Sequence, residues 1–331
     1  EVPTRHQIPW RHADFVDLGK IDTELRRVFD ICHGCRRCFN LCGSFPRLFN
    51  LIDESKSGEL DSVVSTDFKP VMDACTLCDI CFMTKCPYVP PHEFDLDFPH
   101  LILRYRAMEF KQGKVKFAHR QLTETDRNGK LAGPVAPLAN WATKRKNALT
   151  RPLLEKTAGI HQDAGLPNFN CSPFEKKHSK RRKETPATLN NSGRKAALYA
   201  TCFVNYNNLR IGEATQAILA KNGVETEIVY PSCCGMPQLE QGDLARVAKN
   251  AKKVSAELVQ WIDQGYDIVA LVPSCSFMLK FEWPLIVPDD ENIQRLSKAT
   301  FDTAEYIVDI AKKEGLAEGL SKLEGLVSLH L

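Results

Sequence analysis

The sequence places eight of its 13 cysteines between positions 32 and 86, in two groups of the same design. Each group is a C-x2-C-x2-C triplet followed by a more distant fourth cysteine. The groups consist of Cys32, Cys35, Cys38 and Cys42, and of Cys75, Cys78, Cys81 and Cys86. A triplet at this spacing wraps a short loop around one point in space, so this part of the chain has to fold around whatever its thiols bind.

The triplets favour iron-sulfur clusters. Three thiolates of such a loop reach three irons of a cubane, and in bacterial two-cluster ferredoxins the fourth cysteine binds the other cluster. We therefore assign one [4Fe-4S] cluster to Cys32, Cys35, Cys38 and Cys86, and the other to Cys75, Cys78, Cys81 and Cys42. Structural zinc remains open, although it usually takes two C-x2-C pairs set a dozen or more residues apart. Disulfides within a triplet would close loops too short to constrain the unfolded chain.

Two details depart from the ferredoxin pattern. Cys42 is followed by Gly43 rather than by proline, and four residues rather than three separate Cys81 from Cys86. Both details concern the fourth cysteine of each group. They therefore weaken the crosswise pairing more than the number of clusters.

The segments around the cysteine groups have the apolar spacing of helices, without the alternation typical of strands. Before the first group, Leu25, Val28 and Phe29 recur at helical spacing after a predicted N-cap at Asp22. Between the groups the same spacing is shared by Phe45, Leu48, Phe49 and Ile52. We therefore predict a helical ferredoxin-like domain with two clusters over residues 21–112.

Composition limits the classes of function. The chain has 331 residues, enough for two or three domains, and its net charge of +3 gives no reason to expect nucleic acid as a partner. No apolar run approaches the roughly 18 residues needed to span a bilayer, so membrane association would come through a partner or a surface. Thirteen cysteines without a secretory signal favour metal ligation in a reducing compartment. We expect a cytoplasmic protein, or one peripheral on the inner face of the cytoplasmic membrane.

Two segments outside the cysteine groups carry little functional signal. Residues 1–20 are predicted as an irregular arm that packs Trp10 and Phe15 on the first domain. An amphipathic helix is predicted over residues 98–110, at the end of that domain. No function is assigned to the arm.

Residues 113–194 are predicted as a helical connector with a basic linker. A helix is expected over residues 138–154, with one side packed and the other solvated. The run 176–183 holds six cations, which is typical of a solvated linker, and docking on an acidic partner or on anionic lipid headgroups is the alternative. Cys171 is predicted to be a small buried side chain rather than a ligand.

From Lys195 onward, short apolar strands alternate with helices. Strands are predicted over 196–200, 225–230 and 267–272, and helices over 209–222 and 243–264. This alternation implies a parallel sheet, in which ligands gather at the carboxyl ends of the strands. The cysteines that follow these strand ends are Cys202, Cys233, Cys234 and Cys275. We predict an α/β cysteine-rich domain over residues 195–331, with these four as candidate ligands of a further metal or cluster.

The order of these parts resembles the cysteine-rich CCG proteins. The two triplets are followed by Cys202, by Cys233-Cys234-Gly235-Met236-Pro237 and by Cys275. The same order is found in the C subunit of anaerobic glycerol-3-phosphate dehydrogenase, the glycolate oxidase iron-sulfur subunit and heterodisulfide reductase subunits. The resemblance covers residues 20–110 and 195–310. It implies an iron-sulfur protein that relays electrons between a flavin-bearing dehydrogenase subunit and a membrane quinone or another carrier.

Two features depart from this family. In the heterodisulfide reductase branch each complete unit ends in C-x2-C and binds a noncubane [4Fe-4S] cluster, whereas here the last pair reads Cys275-Ser276-Phe277-Met278. Methionine argues against that cluster and its disulfide chemistry, although thioethers can bind soft metals. Family members also usually carry two CCG units, so the resemblance predicts a second unit that follows Leu331 in the natural protein.

The sequence thus predicts an α+β multidomain protein whose two clusters relay electrons between a dehydrogenase partner, expected to be a flavoprotein, and a quinone or other acceptor. We expect an oxidoreductase subunit rather than a complete enzyme, and no catalytic residue can be assigned. Two alternatives stay open. One is a heterodisulfide reductase-like enzyme with its centre in the CCG domain, and the other is a zinc-stabilised interaction module.

Overall fold

The computed structural model describes residues 3–181, 193–319 and 324–326. The first of these stretches contains helices and turns but no β-strand. Its first helices are α1 (Leu18–Cys35), α2 (Ser44–Asp53), α3 (Lys69–Asp73) and α4 (Phe98–Lys111). Short 3-10 turns occur at Ala13–Val16, Leu60–Ser62 and Ser65–Phe68, and a π-helical turn occurs at Cys81–Lys85. The amphipathic helix predicted over residues 98–110 is confirmed as α4.

Helix α1 begins earlier than predicted. Asp17 caps it, because its carboxylate accepts the N–H of Lys20 at 2.8 Å and its backbone is extended, as a capping residue requires. The predicted N-cap at Asp22 is wrong, since Asp22 lies inside the helix and accepts a hydrogen bond from Arg26 at 3.2 Å. The predicted apolar face of the helix is buried.

Residues 113–181 form a series of short helices. They are α5 (Phe117–Leu122), α6 (Thr125–Ala132), α7 (Ala136–Thr143), α8 (Arg151–Ala158) and α9 (Phe174–Arg181), with a 3-10 turn at Gly133–Val135. The single helix predicted over 138–154 is wrong. Asn147 interrupts it, because its side-chain oxygen accepts the N–H groups of Leu149 and Thr150 at 3.1 and 3.2 Å and so forms a turn.

Two further predictions concern this connector. Cys171 is exposed, so the prediction of a buried side chain is wrong. The basic run 176–183 lies partly in α9, and its last two residues, Arg182 and Lys183, lie outside the described residues.

The C-terminal part carries a parallel sheet with strand order β2-β1-β3-β4. The strands are β1 (Lys195–Tyr199), β2 (Glu225–Val229), β3 (Asp267–Ala270) and β4 (Thr300–Asp302). Leu198 pairs with Ile228 on one side and with Val269 on the other, so β1 is central. The three predicted strands are confirmed. Strand β4 was not predicted, since three residues are too short to show a pattern.

Helices connect and flank these strands. They are α10 (Thr201–Tyr206), α11 (Leu209–Lys221), α12 (Met236–Glu240), α13 (Leu244–Ile262), α14 (Pro273–Phe277), α15 (Trp283–Ile286), α16 (Glu291–Ala299) and α17 (Thr303–Lys313), with a π-helical turn at Met278–Glu282. The two predicted helices are confirmed as α11 and α13, and the α+β class is confirmed with them. None of the helices in the described chain has the length and apolarity that crossing a membrane requires.

One apolar core joins the N-terminal helices to the sheet. It includes Phe29 in α1, Met108 in α4 and Val247 in α13, and a second core lies around Leu198 and Tyr306. The N-terminal and C-terminal parts therefore pack against each other as one body.

The N-terminal arm crosses this junction. Trp10 packs against the apolar core that the N-terminal and C-terminal parts share, and its indole N–H donates to the carbonyl of Ile286 in α15 at 2.9 Å. Phe15 is buried against the first domain as predicted, and its carbonyl accepts from Arg104 of α4 at 2.7 Å. The arm thus contacts both parts of the molecule.

Candidate metal centres

Four thiols of the N-terminal part line one small cavity. They belong to Cys32, Cys35, Cys38 and Cys86. Helix α1 ends here because Arg36 adopts a left-handed conformation, with φ of 52°, and its N–H donates to the carbonyl of Cys32 at 2.8 Å. The chain therefore turns back on itself between the second and third cysteines. Phe45, Phe49 and Leu96 contribute apolar walls.

A second cavity is lined by four other thiols. They belong to Cys42, Cys75, Cys78 and Cys81. The loop between the last three curls tightly, since Leu77 and Asp79 both adopt positive φ, at 50° and 60°. Non-glycine residues rarely adopt this conformation, and it persists where the surrounding structure fixes it. Arg106 of α4 helps to fix the loop by donating to the carbonyl of Cys75 at 2.5 Å.

Each cavity takes its fourth thiol from the other cysteine group. Cys42 follows the first triplet in the sequence but lines the second cavity. Cys86 follows the second triplet but lines the first cavity. The structure therefore brings together both sets of residues that the spacing predicted as ligands.

Four of these thiols, those of Cys32, Cys38, Cys75 and Cys81, are difficult to ionise without a bound cation. Burial raises the pKa of Cys75 to about 11 and that of Cys38 to about 11. Burial and then the neighbouring thiols raise the pKa of Cys32 and of Cys81 further. Four thiolates around one apolar cavity would repel each other unless a metal offsets their charge. A donor set of four thiols fits an iron-sulfur cluster, and it also fits zinc.

A third group of cysteines lies at the carboxyl ends of the strands. Cys202 follows β1, Cys233 and Cys234 follow β2, and Cys275 follows β3. The Sγ atoms of Cys233 and Cys202 are 3.7 Å apart, and those of Cys234 and Cys275 are 3.2 Å apart. The three cysteines after β2 and β3 are buried. The parallel sheet thus brings all four predicted cysteines together.

Hydrogen bonds among these thiols shift the pKa values of Cys233 and Cys234 in opposite directions. Hydrogen bonding with Cys202 and Cys234 lowers the pKa of Cys233 well below its usual value. The same bond to Cys233, a bond to Cys275 and burial raise the pKa of Cys234 well above it. Cys233 therefore ionises more readily than Cys202 and Cys234.

Three side chains that sequence analysis missed support this third site. Asp126 of α6 accepts the N–H of Cys233 at 2.9 Å and also accepts the hydroxyl of Tyr230. Trp283 donates its indole N–H to the carbonyl of Cys234 at 3.1 Å. Asp126 comes from the connector, more than 100 positions before Cys233, and no local pattern marks it.

A protein-family model matches the part of the chain that holds this third site. The model for the cysteine-rich domain named CCG matches residues 196–280. The chain contains a CCG cysteine-rich domain. All four clustered cysteines lie within the match, and the resemblance indicated by the sequence is confirmed. Met278 also lies within this CCG domain, where it is fully buried one turn after Cys275.

Curated proteins match part of the chain. Lactate utilization protein A of Bacillus licheniformis is 30% identical over 135 residues, covering 39% of this chain and 54% of that protein. The C subunit of anaerobic glycerol-3-phosphate dehydrogenase from Escherichia coli K12 is 25% identical over 198 residues, covering 59% and 48%. The chain spans about half the length of the curated relatives it matches. No solved structure matches it significantly.

A buried ion network lies where the second cysteine loop meets the C-terminal part of the chain. Asp79, His100 and Glu282 bring ligand atoms within 4.8 Å of one another, as a metal site would. The guanidinium of Arg5, however, pairs with both Asp79 and Glu282. Burial raises the pKa of Asp79 to about 6, and Arg5 opposes this rise. An arginine from the arm thus already supplies the positive charge that these carboxylates require.

Proposed function

We propose that this protein is an electron carrier with two [4Fe-4S] clusters. The ligands of one cluster are Cys32, Cys35, Cys38 and Cys86, and those of the other are Cys42, Cys75, Cys78 and Cys81. The observation that carries the proposal is the exchange of the fourth thiol between the two cavities. This exchange is the arrangement of two-cluster ferredoxins, whereas structural zinc sites use C-x2-C pairs.

The proposal divides the chain into functional parts. Residues 1–20 are the arm, 21–112 a ferredoxin-like domain, 113–194 the connector with its basic linker, and 195–331 the CCG domain. A bound cubane supplies one-electron chemistry. The protein excludes water with Phe45 and Phe49 and holds the Cys75 loop with Arg106. These contacts set the environment that tunes the reduction potential.

Electrons have to enter and leave through the surface near the two cavities. Phe39 is 57% exposed beside Cys38, and Ile80 is 39% exposed beside Cys81. Apolar side chains exposed next to redox centres suit the contact of a partner protein. We take Phe39 and Ile80 as the points at which the two partners approach.

The relatives support a role as a subunit. The name of the Escherichia coli relative describes a subunit of a dehydrogenase. We infer that this chain likewise serves a dehydrogenase, expected to be a flavoprotein, and passes electrons to a quinone or another acceptor. None of the 13 cysteines, all of which the structure describes, forms a disulfide, which fits a reducing, cytoplasmic location, including the inner face of the cytoplasmic membrane.

A second candidate function is chemistry at the CCG site itself. The Sγ separations of 3.7 and 3.2 Å favour a metal, a cluster or a redox-active thiol pair at these four cysteines. Cys234→Ala separates the two ideas. Loss of a distinct spectroscopic signal with both cubane signals retained would support a third centre, whereas an unchanged electron relay would support a carrier with a vestigial site.

Iron and acid-labile sulfide analysis of anaerobically purified protein tests the main proposal. Two cubanes predict about eight irons and about eight sulfides per chain from the N-terminal cysteines. The same analysis of the Cys234→Ala variant removes the contribution of any iron bound in the CCG domain from this count. Zinc without sulfide would overturn the proposal and favour the zinc-stabilised interaction module.

A further inference from the structure

The connector exposes many large apolar side chains. Among the described residues, eight of the 18 exposed large apolar side chains lie between positions 117 and 153. The six most exposed, at 52–79% of their surface, are Phe117, Leu131, Leu138, Trp141, Leu149 and Leu153. We refer to these six residues together as the connector surface. Soluble proteins rarely expose so many large apolar side chains in one segment without a partner.

Helix α7 turns a polar residue inward and apolar residues outward, which is the reverse of an amphipathic helix on a water-exposed surface. Its inward residues are Ala136, which is buried, and Asn140, which exchanges hydrogen bonds of 2.9 and 2.7 Å with the backbone of Phe169. Leu138 and Trp141 lie three residues apart, and both are exposed. A helix that faces water normally buries such residues and exposes the polar ones.

Helix α8 shows the same inversion. Arg151 is 1% exposed, and its guanidinium donates to the carbonyls of His161 and Ala164 at 2.7 Å each. Leu153, two residues later, is 62% exposed. Helices α5 and α8 contact each other, so the apolar residues of both helices lie in one region. The connector therefore presents its apolar side chains outward from neighbouring helices.

The segment around these helices carries a positive net charge, which favours an anionic surface as its binding partner. Residues 113–160 contain ten Lys and Arg residues but only three Asp and Glu residues. The rest of the chain contains 34 Lys and Arg residues and 38 Asp and Glu residues. Lys144, Arg145 and Lys146 follow α7 directly, are exposed, and pair with no carboxylate among the described residues. Cations beside exposed Trp and Leu are typical of surfaces that lie on anionic lipid.

A protein partner fits these features less well. Six of the ten cations in residues 113–160 are lysines, a residue type that is depleted at protein-protein interfaces. Lysine suits a bilayer surface, because its long chain can lie along apolar groups while its ammonium group reaches lipid phosphates. Trp141 lies three residues before the basic triplet, and tryptophan is enriched at the headgroup level of membranes.

We propose that the connector surface binds directly to an anionic lipid bilayer. Leu138 and Trp141 enter the boundary between headgroups and acyl chains, and Lys144, Arg145 and Lys146 contact lipid phosphates. This binding needs no partner protein and no cluster, so it goes beyond the electron relay.

Vesicle sedimentation of the full cluster-loaded chain tests the proposal. We expect binding to vesicles of phosphatidylcholine with phosphatidylglycerol, weakened by salt, and little binding to phosphatidylcholine alone. The variant L138S/W141S should bind at least tenfold more weakly, as should K144E/R145E/K146E. The control I218S/V308S removes apolar residues of α11 and α17 that are 48% and 50% exposed, and it should bind like the unaltered chain.

Fluorescence gives a second readout that does not depend on sedimentation. Brominated phospholipid should quench Trp141, and the W141F variant measures the contribution of the other three tryptophans. The proposal is overturned if the unaltered chain does not bind anionic vesicles, which would leave an acidic protein as the occupant of this surface. It is also overturned if L138S/W141S and I218S/V308S bind equally well.

Discussion

Arg5 and Glu282 form an ion pair, with 3.1 Å between Nη1 and Oε1, although 277 positions separate them in the sequence. The same guanidinium pairs with Asp79 in the second cysteine loop and, at 2.7 Å, with Asp97, which caps α4. The side chains of Arg5, Asp79 and Glu282 are almost fully buried. One arginine of the arm therefore connects the cysteine loop, α4 and the C-terminal part of the chain.

Arg5→Ala should destabilise the protein strongly. Removing the guanidinium leaves the carboxylates of Asp79 and Glu282 buried without their partner, which typically costs about 3–5 kcal/mol. The free energy of unfolding in urea, followed by circular dichroism, measures the effect. Lys20→Ala breaks the exposed pair with Asp14 and should leave stability unchanged within error. Equal effects of the two substitutions would contradict the role given to Arg5.

Gly242→Ala should destabilise the protein by disturbing the contact between α4 and the CCG domain. A Cβ at Gly242 would lie 2.4 Å from the carbonyl carbon of Arg106, and φ is 80°. Gly265 has nearly the same φ, 81°, but its Cβ would meet nothing within 4 Å. We expect Gly265→Ala to cost about 1 kcal/mol from backbone strain alone. Gly242→Ala should cost at least twice as much in the same unfolding experiment, and equal costs would show that the contact with α4 is dispensable.

Double cysteine variants test the crosswise ligand sets. Cys86→Ser with Cys35→Ser should remove only one cluster, because both thiols line the same cavity. Cys86→Ser with Cys78→Ser should remove both clusters, so iron should fall from about eight per chain to near zero. Pairing within each sequence group would give the opposite results. Cys171→Ser, at an exposed cysteine outside the cavities, should leave the iron content unchanged.

The contact between Asp126 and Tyr230 should couple the connector to the CCG site. Asp126→Ala removes the acceptor of the Tyr230 hydroxyl and of the Cys233 N–H, with an expected loss of about 1–3 kcal/mol. Tyr230→Phe removes the same hydroxyl. The double variant should therefore lose less stability than the sum of the two single losses. Strict additivity in urea unfolding would contradict this coupling.

His100 should make stability depend on pH. Burial alone would lower the pKa of His100, but the carboxylates of Glu282 and Asp97 raise it above its usual value. A raised pKa stabilises the folded protein fully below the unfolded value of about 6.5, and this contribution is lost as the pH rises through the folded value. As the pH rises from about 6 through the raised pKa of His100, the unaltered protein should lose more free energy of unfolding than His100→Gln.

A matched variant distinguishes this histidine from a general effect of pH. His119 is exposed, so His119→Gln should follow the pH dependence of the unaltered protein. If His100→Gln showed the same dependence as the unaltered protein, the ion network would not be the source of the pH effect.

Sequence reasoning succeeded where the relevant residues are close along the chain. The triplet spacing indicated which thiols lie around one cavity, because a few covalent bonds restrict their separation. Apolar periodicity determined the three main strands and the two long helices of the CCG domain, because burial of one face requires that period. The same rule failed at residues 138–154, where the hydrogen bonds of Asn147 end the helix.

Tertiary structure alone decided the remaining features. Arg5, Asp126 and Trp283 support the cysteine sites through partners that lie 49 to 277 positions away in the sequence, so no local pattern could reveal them. The inward Asn140 and Arg151, with Leu138 and Leu153 outward, likewise depend on which face of each helix docks. Sequence thus determined the chemistry of the thiols and the periods of the elements. The fold decided the supporting contacts, because packing joins residues regardless of their distance along the chain.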